Sequence, residues 1–172
     1  AQLAPILIIL GGALIGVLIE AFAPRARRAS LQLPITLASI VIALILVINN
    51  RGKEAIDAAG GSVVFDGAGS LIQIFILIIA ILGVFLIAEE HNFTSAASSL
   101  PGSKEEIEAS AAGLRVSEVY PLTLFAVSGM LLFPISSDLI TLFVALEMLS
   151  LPLYLMAGLS RRRRLGSVPR RA

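Results

Sequence analysis

The sequence predicts an all-α, polytopic membrane protein, and three observations support this class. Of the 172 residues, 57% are hydrophobic and the mean hydropathy is +0.94, which is more apolar surface than a soluble domain of this length can bury. The apolar residues are concentrated in five runs, most of them close to the roughly 20 residues that a helix needs to cross a bilayer. Most of the charged residues lie between these runs.

Capping residues and prolines mark several ends of the five predicted helices. Pro24 follows the first run, Asp66 or Ser70 is expected to cap the third helix, and Asp138 is expected to cap the last. The predicted spans cover residues 3–22, 31–48, 71–88, 120–135 and 138–159. They form a transmembrane region over residues 1–160, followed by a basic cytoplasmic tail over residues 161–172.

The distribution of Lys and Arg predicts the orientation of the chain in the membrane. With the N-terminus outside, the inner loops and the tail hold 11 of the 13 basic residues, whereas the outer loop holds only Arg51 and Lys53. The outer segment 49–69 is rich in Gly and Ala and is expected to be irregular. The inner segment 89–119 is expected to contain a short surface helix with Ser103 as its cap.

Several classes of site are excluded by the residue types. The chain has no Cys and a single His, His91, so it lacks disulfides, thiolate metal ligands and the HExxH pattern. No GxGxxG motif after a strand, P-loop or GxSxG motif occurs. The basic runs flank apolar segments without interleaved aromatic residues, so we expect membrane-flanking charge and no nucleic-acid partner.

Glu147 lies near the middle of the last predicted span, where an ionised side chain costs about 2.5–3.5 kcal/mol on insertion scales. Protonation, a cationic partner or a hydrated cavity would each reduce that cost, and each places Glu147 away from lipid. Ser150 and Tyr154 follow at i+3 and i+7 and share its side of the helix. Acids within membranes usually mark ion or proton pathways, which favours a functional role over packing against a neighbouring helix.

Glu20 is a second candidate, at the inner end of the first span. Gly12, Gly16 and Glu20 recur every four residues, and Gly12–Gly16 is a GxxxG match that allows close contact between helices. Two interpretations stay open. Glu20 is either an accessory site residue or the interfacial end of a packing face.

Four segments of the sequence carry a family resemblance. "DLITLFVALEMLSLPLYLMAGLSRRRR", preceded by "PLTLFAVSGMLLFPISS", closely resembles the fourth and fifth helices of subunit N of bacterial NADH:quinone oxidoreductase, respiratory complex I. "VLIEAFAPRARR" and "FDG" also look like this subunit. The related subunits L and M usually have Trp before the Glu, whereas Leu146 precedes Glu147 here. The resemblance covers residues 1–165.

The resemblance implies a fold, a site and partners. The family has an antiporter-like fold of about fourteen helices with two inverted five-helix repeats, of which this chain would be the N-terminal part. Glu147 would be the acid that pairs with a helix-seven Lys in a proton relay. The expected partners are other membrane-arm subunits and the lipid bilayer of the bacterial inner membrane. No cofactor or metal is expected in this chain, and NADH, FMN, iron–sulfur clusters and quinone belong to the rest of the complex.

The sequence departs from the family pattern after helix five. "GSVPRRA" does not look like the entry into helix six, which is expected of a truncated or frameshifted product. Lys53 and Lys104 both lie in loops, so the five spans contain no Lys partner. Two alternatives therefore stay open. One is a subunit of a related cation/proton antiporter or membrane-bound hydrogenase, and the other is a structural fragment without transport activity.

Overall fold

The computed structural model describes residues 2–51, 56–89 and 117–165, and these form a helical bundle with one small β-hairpin. The chain order is α1 (Ala4–Phe22), α2 (Arg25–Asn50), β1 (Ile56–Ala58), β2 (Val63–Phe65), α3 (Gly67–Ala88), α4 (Val119–Leu132) and α5 (Leu139–Leu165). A 3-10 turn, Phe133–Ile135, follows α4. The predicted surface helix near Ser103, His91 and residues 166–172 lie outside the described residues.

Length and composition allow four of the described helices to cross a membrane. The four apolar stretches are Ala4–Phe22, Ser30–Asn50, Gly67–Ala88 and Leu139–Ala157, and a shorter apolar helix covers Val119–Ile135. The prediction of an all-α polytopic fold is therefore confirmed, although the described residues include two short strands that it did not contain.

Side-chain caps begin two of the helices at the predicted residues. Asp66 accepts a hydrogen bond from the backbone N–H of Gly69 at 2.6 Å, and Asp138 accepts one from the N–H of Thr141 at 2.6 Å. Ser70 is not the cap of α3, because its hydroxyl donates to the carbonyl of Asp66.

Several helix ends lie beyond the predicted spans, and two of them extend furthest. α2 begins at Arg25 rather than at residue 31, and α5 continues to Leu165 rather than ending at residue 159. A run of apolar residues identifies only the part of a helix that can lie in the hydrocarbon core of a bilayer. The polar turns at these two ends keep helical backbone hydrogen bonds without contributing to that signal.

The segment that was predicted to be outer and irregular, 49–69, contains a β-hairpin among its described residues. β1 and β2 pair antiparallel around a turn at Ala59–Gly61, where Gly60 and Gly61 adopt positive φ angles of 70° and 91°. Val63 is buried and bridges to Ser136, and the N–H of Ser137 donates to the carbonyl of Ser62 at 2.9 Å. The hairpin is thus fixed to the connection between α4 and α5.

α4 lies at the centre of the described bundle and contacts α1, α2, α3 and α5. The core between these helices is apolar, and its largest fully buried side chains include Ile9, Ile40, Leu77, Leu124 and Leu131. By contrast, only 17% of the apolar stretch of α3 and 11% of that of α5 is buried, so both helices present long apolar faces to the surroundings. Such faces are expected of helices surrounded by lipid or by further helices.

Candidate functional site

Glu147 is exposed on the face of α5 that points away from the bundle. Tyr154 is 73% exposed and Ser150 is half-buried, and the helical spacing of the three residues places them on one side of α5. The described residues do not cover this side. The prediction that Glu147 faces a protein interior therefore stays a prediction, and it requires cover from another segment or subunit.

The opposite side of α5 packs against α4 at Gly129. A Cβ atom built on Gly129 would lie 2.7 Å from the backbone N of Leu149, 2.8 Å from the carbonyl oxygen of Ala145 and 3.0 Å from the carbonyl carbon of Met148. Ala145 is fully buried at this crossing. Since Ala145 and Leu149 lie on the helix side away from Glu147, the crossing directs the carboxylate outward from the bundle.

Glu20 is the centre of a polar cluster at the predicted inner end of the bundle. Its carboxylate accepts from Arg28 Nη1 at 3.3 Å, from Gln32 Nε2 at 3.3 Å and from Ser117 Oγ at 2.8 Å. Its side chain is only 18% exposed, so these polar partners replace most of the water that would otherwise solvate it. Arg28 also donates from Nε to the carbonyl of Ala23 at 2.9 Å, which orients its guanidinium group.

The glycine face of α1 forms the close helix contact that the sequence predicted. A Cβ on Gly12 would collide with Ser39 Oγ of α2. A Cβ on Gly16 would lie 2.9 Å from Gln32 Oε1 and 3.0 Å from Pro121 Cβ of α4. The expectation that Gly12 and Gly16 face another helix is confirmed, and each of them leaves room on α1 for a side chain of α2.

Gln32 connects the glycine face to the Glu20 cluster. It is fully buried, and its Nε2 donates to the carbonyl of Gly16 at 2.7 Å as well as to Glu20. Sequence reasoning missed Arg28, Gln32 and Ser117 as partners of Glu20. A polar face on α2 was indicated by Gln32 and Thr36, which are four residues apart at the start of an apolar run. No comparable sequence signal indicated Ser117.

The carboxylates of the described residues do not form a metal-binding cluster. Within the residues that the structure describes, no group of three or more His, Cys, Asp or Glu side chains could hold a metal ion. The two carboxylates of the predicted site, Glu20 and Glu147, lie on different helices, and the structure does not bring them into one cluster. Only Glu20 has its partners within the described chain.

The apolar helices, the acid on an exposed helix face and the glycine-mediated packing define a polytopic helical membrane protein. No protein-family model matches the chain. It is 49% identical to NADH-quinone oxidoreductase subunit N of Acidothermus cellulolyticus over 95% of its length, and 49% identical to the subunit N of Beutenbergia cavernae over 96%. The subunit N of Thermobifida fusca is 42% identical over 96%. Over nearly its whole length the chain is thus similar to proteins named NADH-quinone oxidoreductase subunit N.

The match covers only part of each relative. The chain spans 32% of the Acidothermus subunit and 34% of the Beutenbergia subunit, about a third of their length. The shared stretch includes nearly all of the described helices, because it leaves out no more than about a twentieth of this chain.

Proposed function

We propose that this chain forms part of a membrane-arm subunit of a proton-pumping NADH:quinone oxidoreductase and contributes one section of its proton path. The observation that carries the proposal is the match to relatives named subunit N at 42–49% identity over nearly the whole chain. The number of apolar helices agrees with a place in the membrane. Electron transfer from NADH to quinone would occur in other subunits of the complex.

Glu147 is the residue that we assign to proton transfer. It lies within a stretch able to cross the membrane, and its exposed side also holds Tyr154 and Ser150. An acid at this depth is costly in lipid, so further helices are expected to cover the face and to supply a cation. A Lys that pairs with Glu147 would keep its proton while the pair is closed and release it more readily once the pair opens.

The partner cation must come from elsewhere. Both Lys residues of the chain, Lys53 and Lys104, lie outside the described residues, so none of the five described helices carries the expected Lys. This observation favours a second candidate, in which these helices act alone as a structural unit without transport. Under the leading proposal, other parts of the subunit complete the path.

The same assignment leads to a proposed location and to proposed partners. We propose that the chain is a multi-pass protein of the bacterial inner membrane with its N-terminus outside and its partners among the other membrane-arm subunits. This part of the subunit would need no cofactor of its own, and NADH, FMN, iron–sulfur clusters and quinone would be bound by the rest of the complex.

A chimaeric subunit tests the proposal. The matching third of a relative's subunit N, in a bacterium lacking that subunit, is replaced by this chain's residues 1–165. We expect the complex to assemble. We also expect the interior of inverted membrane vesicles to acidify when NADH is added. A chimaera that assembles and reduces quinone but moves no protons would favour the structural candidate. A chimaera that never joins the complex, while the relative's own subunit does, would contradict both.

A further inference from the structure

We propose that Gly129 of α4 is a positioning residue for Glu147, which sets how far and in which direction the carboxylate projects from the bundle. The inference rests on the proposed role of Glu147 in proton transfer. It adds a second residue to that site, one that touches neither the proton nor the partner cation and acts only through the backbone of α5.

The contact at Gly129 is backbone against backbone. The Cβ position of Gly129 is 2.7 Å from the N of Leu149 and 2.8 Å from the O of Ala145, whereas ordinary van der Waals contact begins at 3.4 Å. Any side chain at position 129 must therefore displace α5 by several tenths of an ångström. The atoms that it meets belong to the peptide units on either side of Glu147, so they cannot rotate aside as a flexible side chain could.

Within the described chain, α5 packs more extensively against α4 than against any other element. Only 11% of its apolar stretch is buried. Its first turn is held by the Asp138 cap and by the hydrogen bond from Ser137 to Ser62, more than two helical turns before Glu147. The Gly129 crossing lies within two residues of Glu147 in sequence, at Ala145, Met148 and Leu149.

A small displacement at this crossing should affect proton transfer strongly. Donor and acceptor must lie about 2.6–3.2 Å apart, directly or through one water, for a proton to pass between them. Misplacing a reacting group by about 1 Å can reduce a rate by about a hundredfold. Gly129→Ala is expected to shift Glu147 by a fraction of that distance and to remove most of the pumping without removing the carboxylate.

The experiment compares Gly129→Ala with Gly83→Ala in a complete subunit N that carries this sequence, within the assembled complex. Gly83 lies in α3, and a Cβ there would meet nothing within 4 Å, so its variant controls for a glycine replaced in a membrane helix. We expect both complexes to reduce quinone. Only Gly129→Ala should lose most of its NADH-driven proton pumping in inverted vesicles.

A double variant separates positioning from general damage. If Gly129 acts through Glu147, Gly129→Ala should cause no further loss of pumping when Glu147→Gln is already present. An additional loss in that background, or parental pumping by Gly129→Ala alone, would overturn the inference. If Gly129→Ala fails to assemble, Ala145→Ser adds one atom at the same crossing. It should assemble and pump less, and parental pumping would overturn the inference equally.

The two proposals fail in different ways. Parental pumping by Glu147→Gln would remove the proposed function of that residue, and the inference with it. Impaired pumping by Glu147→Gln together with normal pumping by Gly129→Ala would remove the inference alone.

Discussion

Ser117 and Glu20 are 97 positions apart in the chain, and the Ser117 hydroxyl oxygen lies 2.8 and 2.9 Å from the two carboxylate oxygens of Glu20. Arg28 and Gln32 of α2 hydrogen-bond to the same carboxylate. The contact therefore ties the end of α1 to α2 and to the residues that lead into α4. At the predicted inner end of the bundle, these contacts surround the partly buried carboxylate of Glu20.

Ser117→Ala should destabilise this junction. Hydrogen bonds to charged groups contribute about 1.5–3 kcal/mol, and partial exposure of Glu20 should reduce the loss to about 1 kcal/mol. Ser30→Ala is the matched control, because Ser30 is exposed and its hydroxyl donates only to the carbonyl of Arg27 nearby. Thermal unfolding of the detergent-solubilised subunit measures both. Equal midpoints for the two variants would show that the Ser117 contact contributes nothing.

Gly12→Ala should impair the packing of α1 far more than Gly11→Ala. A Cβ on Gly12 collides with Ser39 and lies 3.4 Å from Leu124, whereas a Cβ on Gly11 meets nothing within 4 Å. Overpacking of this kind costs about 1–3 kcal/mol. The yield of assembled complex and its unfolding temperature report the difference. Two neighbouring variants of equal stability would refute the close contact between α1 and α2.

The cap at the start of α5 should weaken in acid. A hydrogen bond from the backbone of Thr141, and then one from the Ser62 side chain, hold the pKa of Asp138 below its usual range. A folded pKa below the unfolded one means that the stabilisation is fully present above about pH 4 and is lost as the pH falls through the lowered value.

Hydrogen exchange at the backbone amide of Thr141, corrected for its intrinsic rate, measures the loss of the Asp138 cap directly. Protection should be constant between about pH 5 and 8 and should decline only below about pH 4. Asp138→Asn keeps an acceptor for the cap but cannot titrate, so its protection should show no such decline. A decline of equal size in Asp138→Asn would assign the acid sensitivity to another group.

The proposed orientation predicts opposite labelling at the two ends of the bundle. The chain has no Cys, so single cysteines can be introduced in place of Gly67, at the outer start of α3, and Ser30, in the first turns of α2. Both positions are exposed. A membrane-impermeant thiol reagent added to intact spheroplasts should label position 67 and leave position 30 unlabelled. The reverse pattern would invert the proposed topology.

The spans and their caps could be predicted because the signals for them are local. A run of apolar residues and an Asp at a helix start act within a few residues of each other, as at Asp66 and Asp138. The β-hairpin was missed because each strand has three residues, too few for alternation to stand out. The hairpin is also bridged through Val63 to Ser136, which is distant in sequence.

The partners of the candidate residues were less predictable. Glycine spacing on α1 indicated a packing face, but only the folded chain shows that Gly16 lies against Gln32 and Pro121. The Glu20 cluster needs Ser117, which follows a long connecting segment and has no periodic signal of its own. Glu147 was recognisable from its depth alone. The described helices leave Glu147 exposed, and a partner from another segment or subunit has no local signal in this sequence.

The most direct test of the central claim is NADH-driven proton pumping by a complete subunit N carrying Glu147→Gln, measured beside Glu147→Asp and Glu89→Gln. Glu89 is an exposed acid just past the end of α3 and serves as the matched control. If Glu147 carries or releases protons through its charge, Glu147→Gln should assemble and pump far less. Glu147→Asp should pump at an intermediate rate, and Glu89→Gln should match the parent. Parental pumping by Glu147→Gln would show that the carboxylate is a packing group and would contradict the account.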